Sequence, residues 1–252
     1  MKLLDLTLPT PAENLACDEA LLDSCEDESG GEILRFWEPR EHFVVVGYAN
    51  KVATEVNVPA CAAAGAPILR RCSGGGTVLQ GPGCLNYSLI LKITAGEDLA
   101  SITSANRFIM ERNCTALEAE VRSQKPEAGI SVSGHTDLTH VTRHLSLSAK
   151  KKFSGNAQRR KKHFLLFHGT FLLHCDLSLM EKFLQLPTQQ PDYRQNRSHT
   201  DFLTNLNLAA DPVKRALRKA WQSDERLQNP PRERIQLLSR DKYVTKKWNF
   251  KF

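Results

Sequence analysis

The chain has 252 residues, of which 41% are hydrophobic and 25% charged, with a formal net charge of +6. That composition fits a soluble globular protein made of one large domain, or one domain with a small appendage. No apolar run approaches the roughly 18 residues that a membrane span needs, and the opening MKLLDLTLPTPAEN lacks the long apolar stretch of a secretory signal. The mild basic excess permits an acidic protein, a nucleotide or a nucleic acid as partner, and no aromatic-interleaved basic motif singles out nucleic acid. Cys17, Cys25, Cys61, Cys72, Cys84, Cys114 and Cys175 are odd in number and include no C-x-x-C pair; the eight histidines form no H-E-x-x-H. The expectation is therefore reduced thiols in a cytoplasm, with no metal site.

In chain order, Thr10-Pro11-Ala12-Glu13 predicts a capping box, and a helix to about Cys25 with Leu15, Ala16, Ala20 and Leu22 inward. Strands are predicted at 33–37 and 43–46, then a short alanine-rich helix over 54–65. A strand at 68–71 runs into a glycine cluster. Over 85–93, Leu85, Tyr87, Leu89, Leu91 and Ile93 share one face of a strand by period two. Residues 99 to about 120 have helical spacing at Ile102, Ala105 and Ile109. Strands are expected at 130–133, 152–154 and 164–173, and Asp176 caps a helix through Leu184. Asp211-Pro212 opens a last helix with Val213, Ala216, Leu217, Ala220 and Trp221 at helical spacing. Residues 140–151 read as an exposed basic loop, and 222–234, with Pro230-Pro231, as a polar link. Strands and helices mix without β-α-β alternation, which predicts an α+β fold with a mixed sheet core flanked by helices.

Chemistry concentrates in three segments. In Arg70-Arg71-Cys72-Ser73-Gly74-Gly75-Gly76-Thr77-Val78, consecutive glycines cost backbone entropy that a bare turn rarely requires. They let main chain lie against a ligand and aim amides at an anion, beside an arginine whose charge does not titrate. No G-K-[ST] follows, so this is not a P-loop; the competing reading is a tight hairpin with an exposed arginine. In Lys152-Phe153-Ser154-Gly155-Asn156-Ala157, a lysine between small residues can reach an anionic or carbonyl oxygen. The basic run 159–162 that follows is a solvated face, or a docking surface for an acidic protein. His168, in Phe167-His168-Gly169-Thr170, is a core histidine or a site residue.

Taken in order, these segments resemble the lipoate–protein ligase family within the biotin/lipoyl ligase and octanoyltransferase superfamily. The family's R-R-x-x-G-G-G stretch and following N-x-S match Arg70 to Val78 and Asn86-Tyr87-Ser88; its K-x-[SA]-G-x-A matches Lys152 to Ala157. Its H-G-T-L-L matches His168-Gly169-Thr170-Phe171-Leu172, its N-L-A-x-[DE]-E matches Asn14 to Glu19, and its T-N-L matches Thr204-Asn205-Leu206. The resemblance spans roughly residues 10 to 210, implying a catalytic domain over 1–210 and a helix with its following segment over 211–252, without an accessory domain.

The resemblance implies an enzyme that activates lipoate, or octanoate, with ATP as its Mg2+ complex and holds the acyl-AMP. The acyl group then passes to a lysine ε-amine on a lipoyl domain of a 2-oxoacid dehydrogenase complex or on a glycine-cleavage H protein. By the same resemblance Lys152 is catalytic. Arg71, Ser73, Gly74, Gly75, Gly76, Thr77, Val78, Asn86, Asp137, Ser154, Gly155, Ala157, His168, Gly169 and Thr170 form the acyl-adenylate pocket, with Arg71 as counter-charge.

The chain also departs from the pattern. Leu79, Gln80 and Gly81 stand where the family often has aromatic-His-Asp, and Cys84 replaces a common asparagine. A K-Y…W-N-F segment, which leads into an accessory domain in two-domain ligases, ends here at Phe252, so a separate small protein is one candidate partner. The alternative activity is an octanoyltransferase that moves octanoate from acyl-carrier protein through a cysteine thioester. No cysteine occurs in 129–134, before the lysine motif, and Cys175 after it reads as buried filler at a strand end.

Overall fold

The structure, a computed structural model, describes residues 1–28, 31–94, 96, 98–124, 126–142, 150–187 and 189–252. Its strands are β1 (Lys2–Asp5), β2 (Ile33–Trp37), β3 (Phe43–Val46), β4 (Ile68–Arg70), β5 (Val78–Gln80) and β6 (Cys84–Lys92), then β7 (Ala128–Ser133), β8 (Asp137–Thr142), β9 (Lys151–Arg160), β10 (Phe164–Leu172) and β11 (Glu225–Arg226). The helices are α1 (Pro11–Glu28), α2 (Val52–Glu55), α3 (Val58–Ala63), α4 (Ile102–Gln124), α5 (Ser178–Phe183), α6 (His199–Phe202), α7 (Ala210–Ala220), α8 (Arg232–Leu238) and α9 (Lys246–Asn249). Eight strands form a mixed sheet in the order β11-β1-β2-β6-β10-β9-β8-β7, and β4-β3-β5 form a small second sheet. This is the expected α+β architecture.

Period-two alternation in β6 and β10 splits the core between the two faces of the large sheet. Leu85, Tyr87, Leu89 and Leu91 of β6 join Leu165, Phe167 and Phe171 of β10 against α4 and α7. On the opposite face, Ile90 and Leu166 pack under α1 and α8. Further along that second face the inward positions turn polar: Ser88 lies across from His168, and Asn86 from Thr170. There the sheet exchanges packing for chemistry. The small sheet covers it: Phe43 and Val45 of β3 enter the α1 core, while Val44 and Val46 pack with α3, α5 and Phe202.

The capping box at α1 forms as expected, with Glu13 N donating to Thr10 Oγ1 (3.2 Å) and Thr10 N to Glu13 Oε2 (2.9 Å). The predicted helix over 54–65 is instead two short helices, α2 and α3. Val56 between them is extended and bridges to Leu184, and Asn57 starts a new helix by accepting from Ala60 N. Helix α4 begins later than expected because Ser101 caps it, accepting from Ser104 N at 3.0 Å. The loop expected over 140–151 is partly sheet. Its first residues belong to β8, whose inward Leu138 and hydrogen-bonded Thr139 are hidden in a polar sequence, and Lys151 opens β9; residues 143–149 lie outside the described residues. Strand β9 is far longer than the predicted 152–154. It runs on through Arg159 and Arg160, whose guanidinium binds the Leu99 carbonyl at 2.8 Å ahead of α4. The polar link over 222–234 contains β11 and the start of α8, and β1 and β5 went unpredicted.

A buried relay ties α4 and the end of α7 to β9. Trp221 Nε1 donates to Asn113 Oδ1 (2.8 Å), Asn113 Nδ2 to Tyr87 Oη (2.9 Å), and Tyr87 Oη to Asn156 Oδ1 (2.6 Å). Asn113 and Tyr87 are all but inaccessible, so breaking the chain strands buried donors and acceptors. Replacing Asn113 by Ala is expected to cost about 3 kcal/mol, measured by urea unfolding, while the conservative Tyr87→Phe costs less.

Candidate active site

A cavity of about 770 Å³ opens between the polar end of the large sheet and the small sheet. Arg71, Gly75, Gly76, Thr77, Val78, Asn86, Asp137, Lys152, Ser154, Gly155, Ala157, His168, Gly169 and Thr170 all line it. Of the residues the sequence nominates, Ser73 and Gly74 do not. Ser73 sits behind the wall, and Gly74 offers its carbonyl to Arg71.

Lys152 reaches the cavity by a local irregularity. Leu138 pairs with Ser154 but Thr139 pairs with Lys152, so Phe153 is an extra residue in β9. Such a bulge re-aims neighbouring side chains. Lys152 Nζ lies 2.8 Å from Asp137 Oδ1, and Tyr193 Oη donates to Asp137 Oδ2 at 2.6 Å. A Cβ on Gly155 would come 2.7 Å from the ammonium, so glycine leaves the lysine its path. The backbone is fixed from outside, where Thr204 N donates to the Lys152 carbonyl (2.9 Å).

The glycine loop is organised from within. Arg71 Nη2 donates to the carbonyls of Gly74 (2.6 Å) and Gly76 (2.7 Å), Nε also to Gly74 (3.1 Å), and Nη1 to Val45 (3.4 Å). Gly75 between them has φ +84°, a conformation that favours glycine. Burial lowers the Arg71 pKa to about 10, which leaves it cationic at neutral pH. Arg71 thus presents its charge at the wall while its N–H groups staple the loop, a different use from the direct counter-charge the sequence suggests.

Behind the loop runs a four-residue relay. Ser73 Oγ and His168 Nε2 are 2.6 Å apart, His168 Nδ1 and Asp18 Oδ2 3.0 Å, and Asp18 Oδ1 pairs with Arg35 Nη1 at 2.6 Å. Burial works to raise the Asp18 carboxyl, but Arg35 and His168 outweigh it and hold the pKa below its ordinary value. Both His168 nitrogens are engaged, so it acts as a strut between α1 and the loop. Sequence reasoning placed Asp18 only inside a matched motif and gave Arg35 no role.

Gln80, in the position where the resemblance predicts histidine, completes a polar ring. Its Nε2 donates to Thr170 Oγ1 (2.6 Å), Thr170 to Asn86 Oδ1 (2.6 Å), and Asn86 Nδ2 back to Gln80 Oε1 (3.0 Å). Glu55, also missed, accepts from the Thr77 hydroxyl and from Asn50 Nδ2 (2.7 Å). Leu15, Trp37, Val45 and Val78 supply apolar wall, and residues of the stretch 185–194 line the far side. Glu55, Leu15, Trp37 and Val45 carry no local sequence signal that marks them as site residues. Among the described residues no three His, Cys, Asp or Glu side chains gather to hold a metal ion, and no helix is long and apolar enough to cross a membrane.

The cysteines stand apart from the cavity. All seven are among the described residues and none lines it. Cys175, expected as buried filler, is half-buried with its Sγ 3.2 Å from that of Cys84. The contact between the thiols lowers the Cys175 pKa and raises that of Cys84.

A glycine loop and a lysine strand face each other across the polar end of the sheet. The chain belongs to the lipoyl protein ligase A/B catalytic domain family, whose model matches residues 10–220. It is 26% identical to octanoyltransferase LipM of Geobacillus kaustophilus (strain HTA426), covering 96% of this chain and 94% of that one. It is likewise 26% identical to lipoate-protein ligase A subunit 1 of Thermoplasma acidophilum, covering 97% and 95%. Two solved structures share the fold. The bi-partite lipoate protein ligase of Thermoplasma acidophilum, described with its E2 lipoyl domain, gives a TM-score of 0.79 at 24% identity over 99% of this chain and 95% of that one. A lipoate-protein ligase A bound with ATP gives 0.76 at 25% identity over 99% and 98%.

His199 at the cavity edge supplies a pH test. Burial, aided by Arg194, lowers its pKa from 6.5 to about 4. The unfolded chain therefore binds a proton that the folded chain refuses, so stability falls as pH drops from about 6.5 towards 4. The melting temperature should decline over that window, and His199→Gln should flatten the decline in a fluorimetric melting series.

Proposed function

We propose that the protein transfers a lipoyl or octanoyl group to the lysine ε-amine of a lipoyl domain, and that it takes the acyl group from an adenylate made from Mg-ATP. The observation that carries the choice of donor is a cavity holding Lys152 and the glycine loop with no thiol on its wall. An acyl-adenylate needs no protein nucleophile, because AMP is itself the leaving group. The neutral acceptor amine attacks the acyl carbonyl, its nitrogen gives up a proton to solvent, and negative charge grows on the carbonyl oxygen. The Lys152 ammonium, held by Asp137, stabilises that charge, and collapse of the adduct expels AMP. Arg71 holds the glycine loop in shape and adds its positive charge at the wall where the phosphate would lie. The acceptor is a lipoyl domain of a 2-oxoacid dehydrogenase complex or an H protein, with the basic end of β9 as its docking side, and a separate small subunit is a further candidate partner. The partnership of the Thermoplasma ligase with its lipoyl domain supports this assignment.

The names of the relatives favour the second reading, octanoyl transfer from acyl-carrier protein, since most of them are octanoyltransferases. Within the structure that reading rests on Cys175, the thiol whose pKa is lowered. A thioester there would form outside the cavity that holds Lys152.

The deciding experiment offers an apo lipoyl domain either octanoate or lipoate with Mg-ATP, or octanoyl-acyl-carrier protein, and weighs the acceptor by mass spectrometry. Modification only from the carrier protein would refute the adenylate route. Lys152→Ala is expected to abolish transfer with an unchanged circular dichroism spectrum; retained lipoylation in a gel assay would remove its assigned role. Each single Cys→Ser variant is expected to stay active, and an inactive but folded Cys175→Ser would establish the thioester route.

A further inference from the structure

We propose that residues 245–252 position the ligand loop through Arg70, an inference that rests on the acyl-transfer reading of the cavity. Arg70 is fully buried and, among the described residues, forms no hydrogen bond to a carboxylate. Its guanidinium is filled by carbonyls: Gly47 (2.7 Å), Tyr48 (3.1 Å) and Asn50 (2.8 Å) on one side, Trp248 (3.2 Å) and Asn249 (3.0 Å) on the other. Its main chain is claimed as well. Arg70 N donates to Asn249 Oδ1 at 2.9 Å, and Trp248 Nε1 donates to the Arg70 carbonyl at 2.8 Å.

The placement explains why such contacts matter. Strand β4 lies at the edge of the small sheet, and Arg70 is its last residue. Helix α9 meets the backbone groups that a neighbouring strand would otherwise pair. The next residue, Arg71, staples the carbonyls of Gly74 and Gly76 in the loop that borders the cavity. Adjacent arginines therefore join two jobs: one anchors the strand end, the other shapes the loop from that anchor.

The anchoring segment is itself secured to α1. Glu19 takes Lys242 Nζ at 2.7 Å and the Tyr243 hydroxyl at 2.9 Å, and Asn249 Nδ2 donates to the Tyr243 carbonyl at 2.9 Å. Lys251 Nζ lies 3.4 Å from the Tyr48 ring centroid and 4.3 Å from that of Trp248, closing the contact by cation–π attraction. Neighbouring residues of one helix thus govern the loop from two sides. Asp18 works through His168 on Ser73, and Glu19 works through residues 242–249 on Arg70. Trp248 and Asn249 are positioning residues, acting on ligand through the main chain of residue 70.

The test uses the full-length protein with Trp248→Phe, Asn249→Ala and both together. Trp248→Phe keeps a ring for the lysines and removes the N–H that reaches Arg70. Hydrogen exchange of residues 71–78 is followed without ligand, and steady-state transfer to an apo lipoyl domain is measured with octanoate plus Mg-ATP and with octanoyl-acyl-carrier protein. Expected in the double variant are faster exchange confined to residues 71–78 and a KM for the acyl donor raised about tenfold, the size of a lost buried hydrogen bond. The KM for the lipoyl domain should stay within about twofold by the same reasoning, since Trp248 Nε1 and Asn249 Oδ1 are both spent on the main chain of Arg70. Unchanged exchange and donor KM would overturn the inference, as would a loss spread over both substrates with a matching drop in melting temperature. If the wild type uses neither donor, the acyl-transfer reading fails separately. The exchange data then decide alone: unchanged rates at 71–78 sink the positioning role and selectively faster rates uphold it.

Discussion

One carboxylate deprived of water sets the geometry of the site. Asp18 is 2% exposed, and a charge that deeply buried is tolerable only with partners on its lone pairs. Arg35 from β2 and His168 from β10 provide them, and His168 passes the constraint on to Ser73. Helix α1, the two strands and the glycine loop must therefore come together at one point, or Asp18 is left unpaired. The ligand loop is flexible by composition and rigid by wiring, since struts reach it from His168 of β10, from Val45 of β3, from Glu55 of α2 and from the last residue of β4.

The sheet shows how the same alternation serves stability and chemistry. On the α4 face the inward residues of β6 and β10 carry no polar atom except the Tyr87 hydroxyl. On the α1 face they begin apolar, at Ile90 and Leu166, then become Ser88, Asn86, His168 and Thr170 where the cavity opens. A polar wall inside a protein is affordable only when its groups satisfy one another. The ring of Gln80, Asn86 and Thr170 does that.

Much of this was legible in the sequence because it is local. The capping box at Thr10, the alternation from Leu85 onward, the glycine cluster and the lysine motif each carry their physics within a few residues. What was hidden depends on partners far along the chain. Arg35 reads as an ordinary strand residue until Asp18 stands opposite it. Arg71 reads as a free cation until the loop folds its carbonyls back onto it. Strand β8 reads as a polar loop because Thr139 earns its burial through Ser131 and Ser133 rather than through hydrophobicity. Helices α2 and α3 read as one because nothing local shows that Val56 is drawn into a bridge with Leu184. Cys175 reads as filler until Cys84 lies against it.

The register of β1 has a consequence for how the protein is made. Lys2 pairs on one side with Ile33 and on the other with Glu225, and Glu19 waits for Lys242. Contacts of such sequence separation pay a loop-closure cost before they return any stability, and they slow folding. A nascent chain can assemble β2, β6 and β10 early, yet the edge of its sheet beside β1 and the outer flank of α1 stay uncovered until more than two hundred residues have been synthesised. Through that interval the half-built sheet exposes an unpaired edge, and the newborn chain is at its most prone to aggregate.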